Sequence, residues 1–153
     1  FVLFLMYVAV KDILSLGSLF IITPINIALL IGIIVFHEFL HAICHPCLGF
    51  TDKTVIGIHP QKMVFYAHYV ETMSRNRFLF SMLNPFIILS VIPIVIILLH
   101  NRSIIIIARI AILNALLSCG DLLGLIIIVT QVPKNAVIKN KGWYSYWKNN
   151  DYP

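Results

Sequence analysis

Residues 25–44 read Ile-Asn-Ile-Ala-Leu-Leu-Ile-Gly-Ile-Ile-Val-Phe-His-Glu-Phe-Leu-His-Ala-Ile-Cys. The stretch is entered after Thr23-Pro24 and ended near Pro46, whose ring clashes with the preceding helical turn. At about 1.5 Å per residue it reaches roughly 30 Å, the thickness of a bilayer's hydrocarbon core. It therefore reads as a membrane-spanning helix with ionisable groups near its end. Phe78 to Leu99 carries no charge, and Ile104 to Thr130 is interrupted only by Arg109 and Asp121. Both are long enough to span. Phe1 to Ile22, with Lys11 and Asp12 in its middle, is either a fourth span or the end of one followed by an interfacial piece.

Composition agrees with lipid as the solvent. Of 153 residues, 60% are hydrophobic and only 11% charged, with a mean hydropathy of +0.97. Soluble domains carry about 25% charge, so a water-soluble domain, disorder and collagen are all excluded, and three cysteines are too few for a disulfide framework. The net charge of +5 fits lipid headgroups and membrane orientation better than nucleic acid, because no basic stripe lies on a soluble face. The chain opens at Phe1 inside an apolar run without an initiator Met, which reads as a fragment with a missing start.

These runs predict an all-α integral membrane protein. It would be one membrane-embedded domain over residues 1–153, with three or four transmembrane helices and a short cytoplasmic β-hairpin between the span at residues 25–44 and the next. The hairpin would come from Thr54 to Ile58 and Met63 to Val70, β-branched and aromatic runs around His59-Pro60-Gln61-Lys62. Residues 49–77 carry Lys53, Lys62, Arg75 and Arg77, and the tail at 133–153 carries Lys134, Lys139, Lys141 and Lys148. The opposite side has Arg102, with Arg109 able to snorkel toward it. The bias toward lysine and arginine puts the loop and the tail in the cytoplasm. Trp143, Tyr144, Tyr146, Trp147 and Tyr152 among the tail's lysines have the composition of an interfacial belt.

His37-Glu38-Phe39-Leu40-His41 is an HExxH motif. Spacing by four on a helix puts both imidazoles on one face, one turn apart, as a single Zn2+ requires. Glu38 beside them can serve as the base toward water at the metal. Ionisable groups inside an apolar helix are costly facing lipid and usually mark a site. A catalytic zinc needs a third protein ligand and an open position. Asp121, the only acid in the last apolar run, leads; counted back from Pro133 it lies about 18 Å deep, as His37 does from Gly49. His45 continues the spacing of the motif histidines, and His68 in the hairpin could approach from above, so both are rival ligands. Asn114 precedes Asp121 by seven residues on the same helix face and could donate to a substrate oxyanion or bind two helices together. Cys44-His45-Pro46-Cys47 reads as helix-end packing before a redox pair. Asn101-Arg102-Ser103 fits a glycosylation acceptor in a spacer too short to use it.

The HEFLH motif ending an apolar span, Tyr66-Ala67-His68-Tyr69 in a strand pair, Asn84-Pro85-Phe86 opening the next span, and Gly120-Asp121 followed by Val132-Pro133-Lys134 together resemble the putative zincin peptidases. That is a membrane family with a domain of unknown function, and the resemblance covers about Ile25 to Lys141. More distantly the chain is similar to site-2 proteases, which cut substrate helices inside the membrane. The resemblance implies His37, His41 and Asp121 as zinc ligands and Glu38 as the catalytic glutamate. It departs from site-2 proteases in that Asn114 has no following Pro and Gly120 precedes the aspartate. The expected function is an intramembrane zinc metalloprotease acting on a membrane protein or peptide substrate. It would sit among membrane lipids in a prokaryotic plasma membrane, with its active site opening to the cytoplasm. The alternative is a non-catalytic membrane protein with a structural metal serving partner binding.

Overall fold

The computed structural model describes residues 22–59, 64–100, 105–141 and 144–149. Most of the Phe1 to Ile22 run, the Pro60-Gln61-Lys62 turn, Asn101-Arg102-Ser103, Trp143 and Tyr152 lie outside them.

The first helix, α1, runs Pro24–Ala42. Thr23 caps it by accepting the Asn26 N–H at 3.2 Å, and Pro24 occupies the first turn, where a missing N–H costs nothing. Beyond it the chain reverses through Cys47, Leu48 and Gly49, all with positive φ. Gly49 is required there, since a Cβ would lie 2.5 Å from the Ala42 carbonyl oxygen. Strands β1 (Thr54–His59) and β2 (Val64–Tyr69) then pair antiparallel, with Thr54 opposite Tyr69. A two-residue strand β3 (Met73–Ser74) leads into α2 (Arg75–Phe86), a π-helical segment at Ile87–Val91 and α3 (Ile92–His100). Next come α4 (Ile105–Leu117), α5 (Cys119–Gln131), β4 (Ala136–Lys141) and β5 (Tyr144–Asn149).

The all-α expectation is overturned. Among the described residues five strands form two antiparallel sheets, β1-β2 and β3-β4-β5, so the fold is mixed α/β. The tail expected to be an interfacial segment is a strand pair, with Ile138 opposite Trp147. It folds this way because alternation turns Ala136 and Ile138 inward, 2% and 1% exposed, while Lys139 and Lys141 face outward. Ile138 joins Tyr69, Met73, Phe78 and Ile128 in the apolar cluster beneath the sheets.

Two helical runs, Pro24–Ala42 and Arg75–Leu99, are long and apolar enough to cross a membrane; α4 and α5 would make a third if together they are one span. The long run at residues 104–130 is not straight. It bends by 49° at Ser118, where Ser118 and Gly120 give the weak helix interior typical of kinks. Many apolar side chains point outward along these helices, Ile25 at 78% and Leu123 at 60% exposed, whereas small and polar residues, Ala108, Ala111, Ala115, Ser90 and Asn114, are buried between them beside a few large apolar ones such as Ile33 and Leu40. That inversion is the pattern of helices packed in lipid, where close backbone approach and hydrogen bonds replace apolar burial.

Candidate metal centre

The site forms where the last two turns of α1 meet α2, α4 and the first turn of α5. Spacing by four stacks His37 and His41, their Nε2 atoms 3.1 Å apart. The bend at Ser118 swings Asp121 onto them: its Oδ2 lies 3.1 Å from His37 Nε2 and 3.3 Å from His41 Nε2. Asp121 sits in the first turn of α5, where the helix's exposed N–H groups favour a carboxylate.

The outer ring nitrogens fix what these three atoms present. His41 Nδ1 is 2.9 Å from the Ser81 carbonyl oxygen, which can only accept, so Nδ1 carries a proton and Nε2 is the nitrogen left to bind an ion. His37 Nδ1 is 2.8 Å from Asn114 Oδ1, and its Nε2 is likewise the atom turned to the centre. Two imidazole Nε2 atoms and a carboxylate oxygen thus form a triangle with edges of 3.1–3.3 Å. Tetrahedral zinc with bonds of about 2.0–2.1 Å sets its ligand atoms about 3.3 Å apart. The donor set fits the ion in both chemistry and spacing.

Glu38 stands beside the triangle. Its Oε2 accepts the Ala67 N–H of β2 at 2.8 Å. His37, Glu38 and His41 together offer ligand atoms all within 4.8 Å of one another, a group able to hold a metal. A cavity of about 170 Å3 opens over Glu38, His41 and Asp121 and is walled by Ala67, Tyr69 and Asn140.

The remaining sequence candidates are placed elsewhere. His45 borders the cavity, but its Nδ1 faces Thr54 Oγ1 at 3.3 Å and its ring lies against Tyr69. Burial, with repulsion from His41 and His68 in their protonated forms, lowers its pKa to about 4. His68, on β2, is outside the metal-competent group; burial and the Lys139 charge lower its pKa. Asn114 is fully buried, and its amide group donates to the Pro85 carbonyl and Ser90 Oγ, with Ser118 Oγ further off. Its hydrogens are committed inside the protein. Cys44 donates to the Leu40 carbonyl and burial pushes its thiol pKa up, so it packs the end of α1, while Cys47 is exposed.

Three participants escaped the sequence reading. Ala67 contributes only a backbone N–H and Ser81 only a carbonyl at the metal side, neither of which has a residue-type signature. Ser90 anchors Asn114 from the π-helical segment. One signal existed for Ser81: Pro85, four residues on, lacks the N–H that would take up the Ser81 carbonyl within the helix.

The family model described as putative zincin peptidase matches residues 30–137, which includes every residue of the triangle. No curated protein and no solved structure matches the chain.

Proposed function

The chain belongs to the putative zincin peptidase family, and from that premise we propose that it is a membrane-embedded zinc peptidase that hydrolyses peptide bonds of membrane-associated substrates. The observation that carries this reading is the 3.1–3.3 Å triangle of His37 Nε2, His41 Nε2 and Asp121 Oδ2 beside an intact Glu38. Those three atoms would hold Zn2+. When bound, zinc supplies Lewis acidity, polarising a carbonyl and making water acidic near neutral pH.

The protein's own groups supply the rest. Glu38 accepts the proton of the attacking water and returns it to the leaving amine nitrogen. The Ala67 N–H holds the Glu38 carboxylate at the cavity edge and ties β2 to α1. That same N–H points away from β1, so β2 offers its outer edge to the cavity, and an extended substrate could add there as a strand. A substrate helix must unwind before its backbone is cleavable, since helical carbonyls are already hydrogen-bonded. At about 170 Å3 the cavity is below the roughly 300 Å3 of sites that enclose small molecules, which suits a narrow extended segment.

The same reading places the protein in a plasma membrane with the sheets and the cavity on the cytoplasmic side, as the lysine and arginine bias indicates. On the β4-β5 sheet, alternation puts Lys139, Lys141, Lys148, Tyr144 and Tyr146 on one exposed face. That face suits anionic headgroups beside the end of α5.

The test is the metal content of the purified chain together with cleavage of a membrane-anchored peptide in proteoliposomes. About one zinc per chain and cleavage abolished by Glu38→Gln support the reading. Absence of zinc at the triangle overturns it. A purely structural metal would call for a fourth protein ligand, for which Glu38 is the candidate in the metal-competent group, so zinc lost in Glu38→Gln would favour that reading.

A further inference from the structure

We propose that Asn114 and Pro85 are positioning residues that set the tautomers of the two motif histidines, through side-chain orientation at His37 and through a freed backbone carbonyl at His41. The inference rests on the zinc reading above and concerns how the chain prepares that site before any metal arrives.

At His37 Nδ1 the direction of the hydrogen bond can be traced back to backbone. The Ala111 carbonyl can only accept, so the Ser90 hydroxyl, 3.0 Å away, spends its one hydrogen there. Ser90 Oγ is then an acceptor toward Asn114 Nδ2 at 2.8 Å, and the Pro85 carbonyl is a second acceptor for the same amide at 3.0 Å. Flipping the Asn114 amide would set its oxygen against two acceptors in a site with no exposure to water, leaving buried groups unpaired. Asn114 Oδ1 must therefore face His37, and His37 must carry its proton on Nδ1. That leaves Nε2, which faces the Asp121 carboxylate at 3.1 Å, as the nitrogen that can offer a lone pair to an ion once any proton it shares with Asp121 is displaced.

At His41 the acceptor comes from a gap in a helix. Pro85 lies inside α2 and has no N–H, so the helical bond to the Ser81 carbonyl is missing. That carbonyl accepts His41 Nδ1–H at 2.9 Å instead. Ser81 Oγ and Asn84 Nδ2 reinforce the joint by donating to the His41 and Leu40 carbonyls at the end of α1. The helix that follows continues through a π segment, which is often associated with functional sites. One proline and one asparagine, neither touching the metal position, thus preset both Nδ1 protons and leave both Nε2 atoms to the metal position.

Outer partners of this kind typically change metal affinity by about 10- to 100-fold. The experiment uses the full chain in detergent or nanodiscs and reads two quantities. One is zinc affinity by chelator competition; the other is the tautomer of His37 and His41 by 15N NMR of histidine-labelled protein stripped with EDTA. In wild type both rings should carry a proton on Nδ1 without metal, whatever proton Nε2 shares with Asp121. Asn114→Leu should move His37 toward the Nε2–H or mixed form and weaken zinc by about 10- to 100-fold. Pro85→Ala, which restores a competing N–H, should do the same at His41 only. Asn114→Gln, keeping the amide chemistry, should retain more affinity than Asn114→Leu. Thermal unfolding of the stripped proteins separates loss of fold from loss of positioning. Unchanged tautomers in both variants, or wild-type zinc affinity in Asn114→Leu, would overturn the proposal. Wild-type protein that binds no zinc but shows both Nδ1 protons would leave the positioning intact and sink the zinc reading instead.

Discussion

The Glu38 carboxylate accepts the Ala67 backbone N–H at 2.8 Å, joining the motif helix to the strand that walls the cavity. Twenty-nine residues separate the two partners, and the bond gives the hairpin a fixed position over the site. It also leaves Glu38 oriented beside the histidines instead of toward lipid.

Glu38→Gln tests the base directly. A glutamine oxygen can still accept the Ala67 N–H, so the fold and the three metal-facing atoms should be undisturbed. Zinc content should therefore equal that of wild type while turnover falls by about 10²- to 10⁴-fold, the contribution of positioned acid–base groups. Single-turnover cleavage of a membrane-anchored peptide beside metal analysis checks both; retained turnover removes Glu38 from the mechanism.

Removing one corner of the triangle should cost metal and activity together. His37→Ala and His41→Ala each delete a nitrogen 3.1 Å from its neighbour, and zinc should be largely lost. Asp121→Asn keeps the shape but loses the anionic oxygen, so affinity should drop measurably without loss of the fold. Cys44→Ala and Cys47→Ala, outside the cluster, should keep the full zinc complement. Competition with a fluorescent chelator ranks all five, and undiminished affinity in Asp121→Asn would show that the third ligand is another group.

What could be read from the chain alone was local. His37 and His41 follow from helical spacing, and Asp121 from being the one acid in a long apolar run. Their meeting depends on the 49° bend at Ser118, a tertiary feature that measuring depth along a straight helix passes over. Asn114 was visible as a buried polar residue, but its partners His37, Pro85 and Ser90 lie 24 to 77 residues away, beyond any periodicity. The β4-β5 pair was hidden because β5 is exposed at every position and its tyrosine, tryptophan and lysine content matches an interfacial belt equally well.

Acid should destabilise the protein through His45. Its side chain is 4% exposed and its pKa is lowered to about 4, mainly by burial. The folded state therefore favours the neutral ring, and the unfolded chain takes up the proton first. The stability this ring contributes is complete above about pH 6.5 and is lost as pH falls toward 4, in total on the order of 3 kcal/mol. Metal-stripped wild type and His45→Gln should accordingly converge in stability between those pH values. Denaturant titrations in a fixed detergent measure the gap, and parallel curves for the two proteins would assign the acid sensitivity to other groups.

The loop and the tail should lie on the same side of the membrane. Met73 pairs with Ile138 and Ser74 with Val137, so the strand after the hairpin and the strand after α5 belong to one sheet. An unbroken hydrocarbon layer cannot run between hydrogen-bonded neighbours about 5 Å apart, which makes the shared side a consequence of the pairing and independent of charge counting. Single cysteines placed at Lys53 and at Lys139, in a background with Cys44, Cys47 and Cys119 replaced by serine, should react with a membrane-impermeant maleimide from the same side of oriented vesicles. The lysine and arginine bias further requires that side to be the cytoplasmic one. Labelling from opposite sides would break the β3-β4 pairing and remove the sheet from the cavity; joint labelling from the outer side would keep the fold and reverse its orientation.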